Sequence, residues 1–184
     1  MKDPFAPSPL QIKAALARGR TRPPFPLASN RQSWAGIRKR MGPTQVREAY
    51  ASAKKALRTA RPDLSATLFL EYQRAGWREG YERPRMERRH RLSALAVAEA
   101  LEYRGWFLDG ILNEAWAILE ESSWVYPAHQ GSLTNLDHPV PDLGASHTGH
   151  DLAELAVLLG NKLEPGLTRR IRQELERRLW EPYL

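Results

Sequence analysis

Apolar residues recur at three- and four-residue spacing along most of this chain, and prolines and glycines cut that periodicity into helix-sized lengths. No stretch alternates apolar and polar residues as a half-buried strand does. Each helix hides one face only, so it must find its partner in another helix. Asn30 is placed to cap a helix ending near Met41-Gly42. Pro43 starts the next, with Val46, Ala49, Tyr50, Ala53 and Leu57 as its buried stripe. A helix follows from Ser65 to Ala75, and Gly76 ends it. Pro84 opens a long helix ending near Gly105, and its centre, Leu92 to Leu101, is apolar almost all round, which predicts deep burial. Over 109–123, with Asp109 as cap, Ile111, Leu112, Ala115, Trp116 and Leu119 share one face. Leu152, Leu155, Ala156 and Leu159 share a face of the next helix, up to Gly160-Asn161. Pro165 opens the last, with Leu167, Ile171, Leu175 and Leu179 at helical spacing, and Pro182 ends it. The expected fold is all-α, built of antiparallel helical hairpins joined by short turns.

A chain of 184 residues suits one domain with a core of its own. Residues 1–28 read as an arm with one short helix: Ser8 can cap it, Pro9 suits its first position, and Ile12, Ala15 and Leu16 share a face. Pro23-Pro24-Phe25-Pro26 is an extended spacer to the domain at 29–184. The absence of cysteine excludes disulfides, a thiolate nucleophile and cysteine metal ligands. The N-terminus lacks the apolar core of a secretory signal, and no apolar run nears the ~20 residues that span a bilayer. A soluble cytoplasmic protein is the expectation. The net charge of +7 favours anionic partners, although the arginines are spread over several helices and mixed with glutamate as on solvated faces. One group stands out: Arg85, Arg88, Arg89, His90 and Arg91 crowd the positive end of a helix dipole, where nearby Glu82 and Glu87 are placed to compensate.

The richest segment for function is Glu120-Glu121-Ser122-Ser123-Trp124-Val125-Tyr126-Pro127-Ala128-His129-Gln130. It leaves a helix and becomes a loop at Pro127, and the loop, with further prolines and glycines, runs to about residue 145. Aromatic rings and hydrogen-bonding groups on a loop held by a helical scaffold are typical of a binding cleft. The run "EESSWVYPAHQ", followed by "DHPVPDL" and a helix, resembles the N-terminal helical domain of the heparinase II/III-like polysaccharide lyases. "RPPFPLASNRQSW" resembles the opening of that domain, "GYERPRMERRHRLSALAVAEAL" one of its helix pairs, and "IRQELERRLWEPYL" the helix closing its first section. The order is colinear from about Arg22 to Leu184.

The resemblance implies part of an incomplete (α/α) toroid that binds uronate-containing polysaccharide, a family activity of β-elimination, and no cofactor. A lyase removes the proton beside a uronate carboxylate, so hydrogen-bond donors must stabilise the charge that develops there while Tyr or His moves protons. By resemblance the loop lines the sugar cleft, making Trp124, Tyr126, His129 and Gln130 candidate substrate contacts; Gln130 stands where many relatives carry Asn. The competing reading puts Trp124 in the core and makes His129 a brace for the loop. The family's catalytic residues and β-sheet domain fall downstream of the matched segment, so the catalytic residues are expected beyond Leu184. A partial toroid that binds glycan at most, with unpartnered apolar helix faces and a tendency to self-associate, is the expectation.

Two other readings start from residues alone. His129, His138, His147 and His150 fall close together with Asp137, Asp142 and Asp151, and two histidines with a carboxylate can hold zinc, but "HTGH" lacks the glutamate of "HExxH". A basic helical nucleic-acid or protein interaction module fits the charge, yet no helix-turn-helix, zinc finger or aromatic-interleaved basic groove is present. There is no "GxSxG" elbow and no phosphate-binding glycine loop. Glu120 and Glu121, adjacent on a helix, point about 100° apart and cannot flank one glycosidic bond.

Overall fold

The computed structural model describes Ser8, Gln11, Ala14, residues 23–133 and residues 139–183. Ser8 and Gln11 exchange the two reciprocal bonds of a capping box, at 2.7 and 3.3 Å, while the rest of the expected arm helix lies outside the described residues. The described residues form helices and turns and no strand: α1 (Arg31–Arg58), α2 (Ala66–Ala75), α3 (Glu79–Glu102), α4 (Leu108–Leu119), α5 (Leu143–Leu159) and α6 (Pro165–Leu175). After α6 comes a wide turn, Glu176–Trp180, and a last short turn, Glu181–Tyr183. No described helix is long and apolar enough to cross a membrane.

α3 is the central element, packing against α1, α2, α4 and α5, while α6 packs on α4 and α5. Its stretch Leu92, Leu95, Ala96, Ala98, Ala100 and Leu101 is buried, as its all-round apolar character predicts. Contacts between α3 and the α4 side run in reverse order, from Glu99 with Phe107 to Arg91 with Glu114 and Arg89 with Glu121. α5 and α6 meet so closely that a Cβ on Gly149 would lie 2.3 Å from Leu179 and 3.0 Å from Leu175.

Several local expectations hold and others shift. Asn30 caps α1 by accepting from the Ser33 amide at 3.1 Å, Ser65 caps α2 and Gly76 closes it with φ 69°. Pro165 sits in the first turn of α6, whose amide at Leu167 is taken by the Glu164 carboxylate at 2.9 Å. The two helices expected on either side of Met41-Gly42 are one element bent at Gly42, where φ 74° suits glycine and Pro43 follows with no amide to give. Leu57, expected in the buried stripe of α1, is 48% exposed, and Ala56 takes the inward position.

Pro84 lies inside α3, which begins at Glu79. The missing proline amide removes one helical bond, and the turn ahead of it is anchored by Tyr81, buried edge-on against Phe69 at 5.0 Å between ring centres. Asp109 is not the cap of α4: the helix starts at Leu108, and the amides ahead of it, those of Gly105 and Phe107, donate to the fully buried carboxylate of Glu99 at 2.6 and 3.2 Å. α4 ends at Leu119 rather than 123, because Arg178 takes the carbonyls of Leu119 and Ser122. Trp116, expected on the buried face, stands 36% exposed, with Arg170 over its ring at 4.3 Å and its indole N–H donating to Glu120 at 2.8 Å.

The arginine run at the start of α3 faces inward. Arg89 makes a two-pronged pair with Glu121, one contact at 2.7 Å, and Arg88 reaches the same carboxylate at 3.3 Å. Arg91 binds Glu114 at 2.7 and 3.0 Å and the carbonyls of Ala56 and Thr59 at 2.6 and 3.1 Å. Compensation therefore comes from the α4 side and not from Glu82, which pairs with Arg78, or from Glu87. Removing one member of a buried pair leaves the other charge uncompensated. Glu121→Ala is expected to destabilise the protein by about 3–5 kcal/mol, read as a lower urea midpoint at unchanged slope.

Candidate functional site

The loop from Glu120 to Leu133 is held by two arginines. Arg85, 1% exposed, donates through one nitrogen to the carbonyls of Trp124 and Gly144, both at 2.8 Å, and to the Thr148 hydroxyl at 2.9 Å. Its guanidinium also lies over the Tyr126 ring at 4.5 Å. Burial, and then the neighbouring Arg89, push the Arg85 guanidinium below its ordinary value. On the other side Arg178 lies over the Trp124 ring at 4.6 Å. The start of α5 must come close for this clamp to close: a Cβ on Gly144 would stand 2.8 Å from the Trp124 carbonyl and 2.9 Å from the Tyr126 ring.

Asp142 is the second fastening. One carboxylate oxygen caps α5 by accepting from the Ala145 amide at 2.7 Å. The other accepts from the Tyr126 amide at 3.0 Å and meets His129 Nδ1 at 2.7 Å. A carboxylate oxygen accepts, so Nδ1 donates to Asp142, and in the neutral form of the ring the lone pair is on Nε2. Pro127–His129 forms a short tight turn that packs against α2. The Tyr126 and His129 rings stand edge-on at 5.9 Å.

The structure thus separates the four candidate residues. Tyr126 and His129 are brought together on Asp142, with the His129 side chain 43% exposed. Trp124 is 1% exposed, and its indole N–H donates to the Ile118 carbonyl at 2.9 Å, so the ring packs in the core. Gln130 points elsewhere, onto a small cavity of about 20 Å³ shared with Ser123, Val140 and Arg177, where its buried Oε1 has no partner among the described residues.

The larger space lies on the other flank of the loop. A cleft of about 520 Å³ runs between α2 and the loop, walled by Arg61, Ser65, Tyr81, Arg88, Ser122 and Ser123. None of the four sequence candidates lines it. Arg88 was legible as one of a basic run and Tyr81 as part of "GYERPRMERR", but nothing local showed that α2 would turn them toward Ser122 and Ser123.

Of the histidines, His147 and His150 both lie within α5. His150 meets Glu154 at 3.3 Å, while Asp137 and His138 lie outside the described residues. Among the described residues no three His, Asp or Glu side chains are placed to hold a metal ion. The guanidinium groups of Arg85, Arg89 and Arg91 are turned into the protein and do not form a surface stripe for phosphates. No known protein-family profile matches this chain, and no curated protein matches it either.

Two expectations test this geometry. Gly144→Ala forces the loop off Arg85 and is expected to cost about 1–3 kcal/mol, with loss of the near-ultraviolet circular dichroism of Trp124 and Tyr126 before any loss of helix signal. Burial, and then the Glu121 carboxylate, raise the Tyr81 hydroxyl from 10.0 to about 12. The folded state then holds that proton more tightly than the unfolded chain. The stability it lends is complete below pH 10 and fades as pH rises toward about 12. Tyr81→Phe is expected to flatten that part of the alkaline stability profile, measured by urea unfolding across this range.

Proposed function

We propose that this chain is the glycan-binding portion of an incomplete (α/α) toroid similar to the N-terminal domain of heparinase II/III-like polysaccharide lyases, and that it binds uronate-containing polysaccharide beside the loop after α4. The observation that carries the reading is the His129–Asp142 pair, 2.7 Å apart on that loop. It holds an exposed imidazole in one tautomer, so Nε2 offers a lone pair in a fixed direction to a sugar hydroxyl or to a proton being moved. Tyr126, fastened to the same carboxylate, adds a ring edge beside it. The reversed contact order of α3 and α4, and the close packing of α5 on α6, suit successive hairpins of a toroid. The net charge of +7 draws an acidic polymer toward the surface. In this reading Trp124 serves the site by supporting the loop from within.

The test is binding of fluorescently labelled oligouronates and heparan-type fragments, with neutral dextran as control, alongside ultraviolet absorbance for unsaturated product. Wild-type protein is expected to bind the acidic glycans, more weakly as salt rises, without forming product. His129→Ala is expected to weaken binding about tenfold, the equivalent of about 1.4 kcal/mol, without loss of fold by circular dichroism. Equal binding of dextran, or affinity unchanged by His129→Ala, would sink the reading.

A further inference from the structure

The cleft between α2 and the loop has arginines and glutamates on its wall and directly behind it. Four guanidinium groups, those of Arg61, Arg88, Arg89 and Arg91, share two buried carboxylates, Glu114 and Glu121. Glu120 at the rim removes one more positive charge, and its carboxylate is already engaged by Trp116. The charged groups on the wall itself are Arg61 and Arg88 with Glu120 and Glu121, and in a partly closed space a charge is screened less than on the open surface. The cation nearest to solvent is Arg61. Its side chain is 34% exposed, it lines the cleft, and it pairs with Glu114 with its Nε 3.4 Å from the carboxylate.

The second observation concerns Tyr81. The residue is only 5% exposed and lines the same cleft, yet its hydroxyl has no hydrogen-bond partner among the described residues. The hydroxyl is not sealed in the core, so it is open to a ligand in the cleft. Opposite stand Ser122 and Ser123, and Phe69 and Leu133 supply apolar wall. The volume of about 520 Å³ lies within the range of small-ligand sites. A ligand that matches these groups carries one carboxylate for Arg61, several hydroxyls for Tyr81 and the serines, and an apolar ring face.

We infer that this cleft is a binding subsite for a single sugar-acid residue, its carboxylate on Arg61 and a ring hydroxyl on the Tyr81 phenol. The choice of a uronate among hydroxylated carboxylates rests on the glycan reading above; the site itself rests on the cleft. Arg88 belongs to its wall as a positioning residue, because its guanidinium is fixed by the Pro62 carbonyl at 2.8 Å and by Glu121.

The experiment is nitrogen-15 NMR of the full chain during titration with D-glucuronate, with D-glucose as the ring lacking the carboxylate. Glucuronate is expected to shift the Arg61 side-chain Nε–H and the Ser122 and Ser123 amides, and glucose to shift them far less. Arg61→Gln is expected to weaken glucuronate binding about tenfold, as loss of a charge-assisted bond does, and Tyr81→Phe severalfold. Both variants keep the ring or stem that packs, and each is checked by its amide spectrum for the native fold. No shift with excess glucuronate, equal shifts with glucose, or affinity unchanged in both variants overturns the subsite. His129→Ala separates the two proposals. If it abolishes polymer binding while glucuronate still shifts the cleft, both stand. If polymer binding ignores His129 but the cleft responds, only the glycan reading of the loop falls. A silent cleft beside a His129-dependent polymer site removes this inference alone.

Discussion

Glu121 is the carboxylate on which the arrangement of the loop depends. It meets Arg88 and Arg89 where α4 gives way to the loop, and it is almost wholly buried. Two guanidinium groups inside a protein need such a partner, since isolated buried charge costs several kcal/mol per ion. The pairing also sets direction. Arg85 and Arg89 lie on α3, and both reach Thr148 of α5, so one side of α3 ties together the loop and α5. Thr148 in turn donates to the Gly144 carbonyl at 2.9 Å, the carbonyl that Arg85 also holds. Polar networks of this kind contribute less to net stability than to specifying one arrangement, because any other leaves a charge unpaired. An apolar contact between α3 and the loop could slide; this one cannot.

The helices were legible where a segment's own residues decide the outcome. Asn30, Ser65 and Gly76 act on amides and carbonyls three or four residues away, so their roles follow from spacing alone. The apolar centre of α3 follows from periodicity in the same way. The misses have one physical cause, which is that a partner distant in sequence overrode a local rule. Glu99, from the preceding helix, holds the turn that leads into α4 through the amides of Gly105 and Phe107, and the helix starts ahead of Asp109. Arg178 takes the last carbonyls of α4 from beyond α6 and stops the helix at Leu119. Phe69 anchors Tyr81 and lets α3 start ahead of Pro84. Arg170 covers one face of Trp116 and allows an indole to sit at the surface where the periodic pattern placed it inside.

The same distinction runs through the site. That the segment 124–130 would be a loop carrying unusual side chains was readable, because Pro127 breaks the helix and the residue types are plain. Which of those side chains would face outward was not, since it depends on Arg85, Arg178 and Asp142 arriving from elsewhere. Trp124 turns inward because its N–H finds the Ile118 carbonyl and its ring finds Arg178, a pairing of indole and guanidinium that both buries the ring and satisfies its one donor. His129 stays outward because Asp142 is itself fixed to the end of α5 by the Ala145 amide. A residue that looks like a ligand contact by type can thus become the support for one, and the exchange is decided by hydrogen bonds made far away in sequence.

The loop has two flanks, and their chemistry differs in a way that bears on how an acidic polymer would be read. On one flank a carboxylate, Asp142, backs the exposed histidine, which favours hydrogen bonding to hydroxyls over direct attraction of an anion. On the other, the partly exposed Arg61 guanidinium lines the cleft and offers a cation to an anion. Discrimination by two unlike flanks grows with each group a wrong ligand leaves unpaired. Because both flanks hang on the same clamp of Arg85, Arg89 and Glu121, their separation is fixed by the fold and not by the ligand. Preorganisation of that kind lowers the entropy lost on binding, and here it originates in buried ion pairs between α3 and the start of the loop.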